Sequence, residues 1–276
     1  MIIVLIQVLL IFSLFLPSFS IDQTANSPKK LITWKEFKKS LSLNNYPIPK
    51  REQYETVKQL AEQFDITTKE ELAMFLAQVY WESLGLQHTK EIACASSKCP
   101  TNYRTGREKP GKYYYGRGYI QLTWLDNYEN CSMDMYGDMR LVEEPDIVSD
   151  TVEGAWGSAF WYWHKYIHDI PEIHQGKFGY STMAINGALE CKGVYKIKAF
   201  RRYVVYVRVL EAFNLLDNVK PLQDGCYPMS GKDAPGFKLC IPIGSYRTQA
   251  GLFHWCNDNC NSADSNCPTD MCQCEP

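Results

Sequence analysis

Six of the eleven cysteines in this 276-residue chain fall between positions 227 and 276, and that crowding limits its fold more than any other feature. Gly, Pro, Asn and Asp fill the gaps between them, with only three Lys/Arg in the same stretch. A segment this short cannot bury enough apolar surface to fold unaided, so cross-links must close it. The N-terminus indicates the oxidising compartment that such cross-links need. Residues 1–20, MIIVLIQVLLIFSLFLPSFS, form an apolar run broken by Pro17, with Ser18 and Ser20 placed for cleavage after Ser20. The run from Ile2 to Leu16 is shorter than the ~20 residues a membrane-spanning helix needs. It reads as a cleaved secretory signal, which predicts a secreted, extracellular protein free of the membrane. The expected organisation is a signal peptide over 1–20, a main domain over 21–230 and a cysteine-rich module over 231–276.

The main domain has an ordinary globular composition. The chain is 45% hydrophobic, 13% aromatic and 22% charged, which excludes a disordered or collagen-like protein. Lys+Arg number 29 against 31 Asp+Glu, a net charge of −2, and no long basic run gives nucleic acid a surface to bind. Apolar residues recur at helical spacing in several places. Trp34, Phe37 and Leu41 mark a helix over 31–43; Tyr54, Val57, Leu60 and Phe64 mark another over 50–64, with NNYPIP as the loop between. A third helix starts at Thr67 or Thr68, with Glu70 or Glu71 placed to complete a capping box. Its inner face is Leu72, Phe75, Leu76, Val79 and Ser83, and Gly85 ends it. Residues 94–112 have loop composition, and a helix is expected near 126–136. Trp156, Phe160, Trp163 and Ile167 predict a core helix, and Tyr195, Ala199, Tyr203, Tyr206 and Leu210 the inner face of a last long helix over about 194–213.

Glu82 falls on the apolar edge of the third helix, three residues after Val79 and seven after Phe75. A carboxyl against apolar surface has its charged form disfavoured, which suits a general acid. Glu91 stands nine residues later, beyond Gly85. If the chain turns back there, the two carboxyls face each other across a groove. Opposed carboxylates roughly 6.5–9.5 Å apart, with room for a water between, are the machinery of inverting glycoside hydrolysis. Amides, hydroxyls and flat aromatic faces such as Tyr114 and Trp124 would serve a sugar ligand.

The ordered blocks FLAQVYWESLG, KE, YYGRGYIQLTWLDNY and INGALEC resemble those of the family 19 glycoside hydrolases, the plant-type chitinases, from about Leu31 to Cys226. The resemblance implies a mainly α fold (α+β, lysozyme-like): a bilobal helical catalytic domain with a substrate groove, followed by the small disulfide-rich module. It implies a secreted endochitinase that inverts configuration, with Glu82 as general acid, Glu91 as general base and Thr123 helping to hold the attacking water. Gln121, Asn127 and Asn186 match residues that hydrogen-bond sugar, and Tyr115, Arg117 and Trp124 stand beside them. The tyrosines read equally well as structural, and for Arg117 a structural place in a buried ion pair is the favoured reading. Trp81 stands where the family usually has His, Ser83-Leu84-Gly85 replaces Thr-Gly-Gly, and Asp126 falls where an aromatic or polar residue is common. Arg202 falls near the arginine that organises the family's acidic residues.

By the same resemblance, Cys191 and Cys226 match the family's C-terminal disulfide. Cys94 and Cys99 could close a short loop. The tail spacing C-x3-C-x6-C-x4-C-x-C, with Cys240 upstream, permits three bridges and does not match a zinc site, so no metal is expected. Eleven being odd, at least one thiol is free or pairs between molecules. Tyr246, Phe253 and Trp255 suggest a carbohydrate-binding face on the tail; a protease-resistant cap is the plainer alternative. The partner expected is chitin or a related N-acetylglucosamine polysaccharide, with no cofactor and a monomeric chain. Two alternatives accompany that reading: a peptidoglycan-directed, lysozyme-like hydrolase, and a chitin-binding defence protein without turnover.

Overall fold

The computed structural model describes residues 31–192, 195–216, 225–226, 239–244, 246, 256, 260 and 267–275. The signal sequence, Phe253 and Trp255 lie outside them. Helix α1 (Trp34–Leu43) opens on a reciprocal capping box. The Thr33 hydroxyl accepts from the Glu36 amide at 3.2 Å, and the Glu36 carboxylate accepts from the Thr33 amide at 2.6 Å. After α2 (Arg51–Gln63) comes α3 (Lys69–Glu82), tied to α1 by Lys69 Nζ, 2.6 Å from Glu36.

Thr68 caps α3 as expected, accepting from the Glu71 amide at 3.2 Å, but the capping box does not form. The Glu71 side chain is buried elsewhere, accepting from the Trp163 indole at 3.0 Å and lying 2.7 Å from His168 Nδ1. A buried carboxylate goes where its charge finds partners. Nor is α3 one-faced: every residue from Glu71 to Tyr80 is buried, so it is the central helix of the domain.

Around it stand α4 (Cys94–Ser97), α5 (Leu125–Tyr136), α6 (Arg140–Glu143), α7 (Ile147–Asp150) and α8 (Val152–Trp163). A π-helical turn (His164–His168) continues α8, a 3-10 turn (Ile173–Gln175) follows, and α9 (Gly179–Glu190) and α10 (Lys196–Ala212) complete the set. Phe75 of α3 meets Phe160 at 4.2 Å and Trp163 at 5.5 Å between ring centroids. Trp156, Phe160, Trp163 and Ile167 are all buried, as their spacing predicts. Each such large apolar side chain contributes about 1.5–3 kcal/mol of transfer free energy. On the other side, α10 buries Ala199, Tyr203, Tyr206 and Leu210. Tyr195 corrects the expectation: it precedes the helix and is 45% exposed, with the Lys198 ammonium over its ring.

The segment YYYGRGYIQLTW folds back on itself without forming a sheet. Arg117 and Leu122 exchange backbone hydrogen bonds, Gly118 N–H donates to the Thr89 carbonyl at 2.8 Å, and Glu91 N–H donates to the Gly116 carbonyl at 2.8 Å. Gly118 has φ +70°, and a Cβ there would lie 2.5 Å from Ser158 Oγ, so only glycine fits. This turn clamps the chain just before Glu91.

The cysteines pair as Cys94–Cys99, Cys191–Cys226, Cys240–Cys274, Cys256–Cys272 and Cys260–Cys267. In the tail, Cys240–Cys274 joins paired positions of two antiparallel strands, β1 (Leu239–Pro242) and β2 (Cys272–Glu275), and Cys256–Cys272 ties a further cysteine to β2. Cys131 is the unpaired thiol, buried in α5, where burial and the charge of Asp134 push its pKa up. Among the described residues no helix is long and apolar enough to cross a membrane.

Candidate active site

Glu82 is the last residue of α3, with its side chain 18% exposed. The apolar wall expected behind it is in fact an arginine. Arg202 of α10, buried, forms an ion pair with the Glu82 carboxylate. Its Nε donates to Glu190 Oε2 at 2.7 Å, its Nη2 to Glu190 Oε1 at 2.8 Å and its Nη1 to Gln78 Oε1 at 2.9 Å. Burial works against the guanidinium's charge, but Glu82 and Glu190 outweigh it and hold its pKa above the ordinary value. Arg202 and Glu190 together are neutral, so Glu82 faces a satisfied ion pair and not a lone cation. Gln78 Nε2 reaches Ser181 Oγ at 2.7 Å and Thr182 Oγ1 at 3.0 Å, fixing this network to α9. Trp81, the departure from the family's histidine, places its ring 5.7 Å from the Arg202 guanidinium and covers it.

Asn186 interrupts α9, with φ −146° and ψ 28°, and donates from Nδ2 to Glu190 Oε1 at 2.8 Å. It thus belongs to the Glu82 side of the site. Glu190 was not singled out in the sequence, although it lies four residues after Asn186 in the INGALEC block.

Glu91 is partly buried in the segment before α4. Its carboxylate accepts from the Tyr103 hydroxyl at 2.9 Å on Oε1 and from the Gly116 amide at 3.3 Å on Oε2. Burial, followed by the bond to Glu91 and its charge, pushes the Tyr103 phenol up to about 12. Thr123 Oγ1 donates to the Gln121 carbonyl at 2.7 Å, which commits its proton and leaves its lone pairs to accept. Gln121 folds over Gly116, where a Cβ would lie 2.9 Å from Gln121 Oε1. Asn127 Nδ2 donates to the Thr123 carbonyl at 2.8 Å, and Asn127 Oδ1 lies 3.5 Å from the Tyr166 hydroxyl. Trp124 is 46% exposed, and its ring stands at 89° to that of Tyr103 with 5.4 Å between centroids.

Two expected sugar contacts are placed differently. Tyr115 is 1% exposed, its ring lying 3.7 Å below the Arg117 guanidinium, and Tyr114 is equally buried, donating to the Val142 carbonyl at 3.0 Å. Neither ring is free to stack on a sugar. Arg117 is structural: Nε donates to Asp146 at 2.9 Å, and Nη1 donates to the Tyr113 carbonyl at 2.7 Å and the Tyr128 hydroxyl at 3.1 Å. Asp126 also acquires a reason, because it pairs with Arg107 and so holds the 99–112 loop to α5.

Trp124 therefore connects to Glu91 through Tyr103 and Gln121 through Gly116, Thr123 and Asn127 are tied into the same turn, and Asn186 joins Glu82 through Glu190 and Arg202. Two tyrosines not singled out in the sequence link the groups. The ring of Tyr166 stands 4.9 Å from that of Tyr162. Burial, with Tyr166 and the charge of Glu82 adding to it, pushes the Tyr162 phenol up to about 12. Both lie on the side of the α8 pattern not taken by Trp156, Phe160 and Trp163, and that was the available signal.

Residues 55–219 match the family model described as chitinase class I, glycoside hydrolase family 19. Chitinase 5 of Oryza sativa subsp. japonica is 36% identical over 127 residues, 46% of this chain and 42% of that protein. Basic endochitinase CHB4 of Brassica napus is 35% identical over 127 residues, covering 46% and 45%. The chain spans about half the length of the curated relatives it matches. The crystal structure of chitinase C from Streptomyces griseus is similar at a TM-score of 0.55 and 25% identity, over 68% of this chain and 78% of that one. The shared blocks, the mainly helical fold and the match over most of the main domain together show that the chain belongs to glycoside hydrolase family 19.

Proposed function

We propose that the protein is a secreted endochitinase that hydrolyses β-1,4 linkages between N-acetylglucosamine units by single displacement with inversion. Glu82 is the general acid and Glu91 the general base. The observation that carries the reading is the contrast between their settings: Glu82 abuts a neutral, buried Arg202–Glu190 pair, whereas Glu91 is oriented by two hydrogen-bond donors. In this reading Glu82 gives its proton to the glycosidic oxygen as the bond from C1 to that oxygen breaks. The guanidinium of Arg202 then stabilises the carboxylate left behind. Water attacks C1 from the opposite face and loses a proton to Glu91. A water whose protons point to Glu91 and to the Thr123 hydroxyl oxygen keeps a lone pair for C1. The carboxyls perform both proton transfers, so the reaction asks for no cofactor.

Proton NMR of the first product released from a chitin hexamer tests the reading. The α-anomer is expected; an initial β-anomer would contradict the assigned roles.

The tail is proposed as a carbohydrate-binding module, supported by three disulfides that make a rigid scaffold around β1 and β2. In a chitin pull-down, the full chain is expected to be retained more strongly than a chain ending at Cys226. Equal retention removes the module's binding role.

A further inference from the structure

We propose that Tyr103 is a positioning residue for Glu91 and that Trp124 links it to a bound sugar; the proposal rests on the reading of Glu91 as the base. The Tyr103 hydroxyl and the Gly116 amide each hold a different oxygen of the Glu91 carboxylate, at 2.9 and 3.3 Å. Two donors on two oxygens set the plane of the group, and each oxygen keeps a lone pair for water. The phenol is neutral through the working range, so it always donates.

The Tyr103 ring is held from its other side by Trp124, edge to face at 5.4 Å. Both residues have left-handed backbone, φ +56° and +76°, a conformation that bulky residues keep only where their surroundings impose it. Those surroundings are visible. Cys94–Cys99 closes the chain just ahead of Tyr103, and Arg107 pairs with Asp126 and, at 3.2 Å, with Glu129, both on α5. Helix α5 begins directly after Trp124. The loop and the helix thus carry the two rings to one another. Because Trp124 is 46% exposed, a sugar face can stack on it, and a ring so fixed limits the movement of Tyr103 against Glu91. Seating the substrate thereby orders the base.

Tyr103→Phe tests this, since it removes the hydroxyl and keeps the ring. On chitin hexamer, kcat is expected to fall about 10-fold, which is ~1.4 kcal/mol of activation free energy, with KM within about two-fold and an unchanged melting temperature. Tyr103→Ala should lower kcat similarly and also raise KM several-fold, because Trp124 loses its edge partner. Wild-type kcat in Tyr103→Phe overturns the proposal, as does a loss that tracks a lowered melting temperature. Glu91→Gln, assayed alongside, separates the two levels. If it loses about 10³-fold while Tyr103→Phe loses nothing, only the role of Tyr103 falls; if it retains full activity, the assignment of the base falls and this proposal with it.

Discussion

Replacing Glu82 by Gln is expected to lower kcat on chitin hexamer by about 10³-fold, within the 10²–10⁴ that general acid catalysis supplies. The amide is isosteric and cannot deliver a proton to the leaving oxygen. Folding is expected to survive, because Arg202 keeps both bonds to Glu190 and its bond to Gln78. KM and retention on chitin therefore change little, and the loss shows in turnover alone. Chromatography of the released oligomers, with a thermal melt of the same sample, reads both. A variant that turns over chitin hexamer at the wild-type rate ends the assignment of Glu82 as the acid.

The largest effect on stability is expected from Arg202→Met. It leaves Glu190 buried, with Asn186 as its one remaining side-chain donor among the described residues, and takes from Gln78 Oε1 its bond to Arg202. Removing one member of a buried ion pair typically destabilises by about 3–5 kcal/mol, since the other charge stays desolvated. Equilibrium urea unfolding of the variant and the wild type measures the difference. Arg202→Lys should recover only part of it, because a single ammonium cannot reproduce a planar fork whose donors reach Glu82, Glu190 and Gln78 at once. A loss under about 1 kcal/mol in Arg202→Met would show that the network is not what holds α3, α9 and α10 together at this point.

The two substitutions act on the same cluster from opposite sides. Glu82 is partly open and Arg202 is closed off, so the first substitution is expected to show in turnover and the second in stability. The neutral Arg202–Glu190 pair lets a carboxyl sit beside an arginine without facing an uncompensated positive charge.

The helical segments, the disulfide-rich tail and the two glutamates were legible in the order of residues. Helical period and cap residues depend on neighbours a few positions away, and the family blocks keep their order along the chain. Trp156, Phe160 and Trp163 lie in the core on the face their spacing marks, although α8 is buried on its other sides as well. The contacts that make a site of these pieces join residues far apart: Gln78 to Arg202, Glu71 to Trp163, Tyr166 to Asn127. Only the packing of α3 against α8, α9 and α10 decided that Glu82 meets a guanidinium instead of an apolar wall. The same holds for Tyr115, which lies under Arg117, and for Tyr103, which reaches Glu91. Periodicity specifies which side of a helix turns inward, but which group waits there depends on how separate helices come together, and no local pattern encodes that.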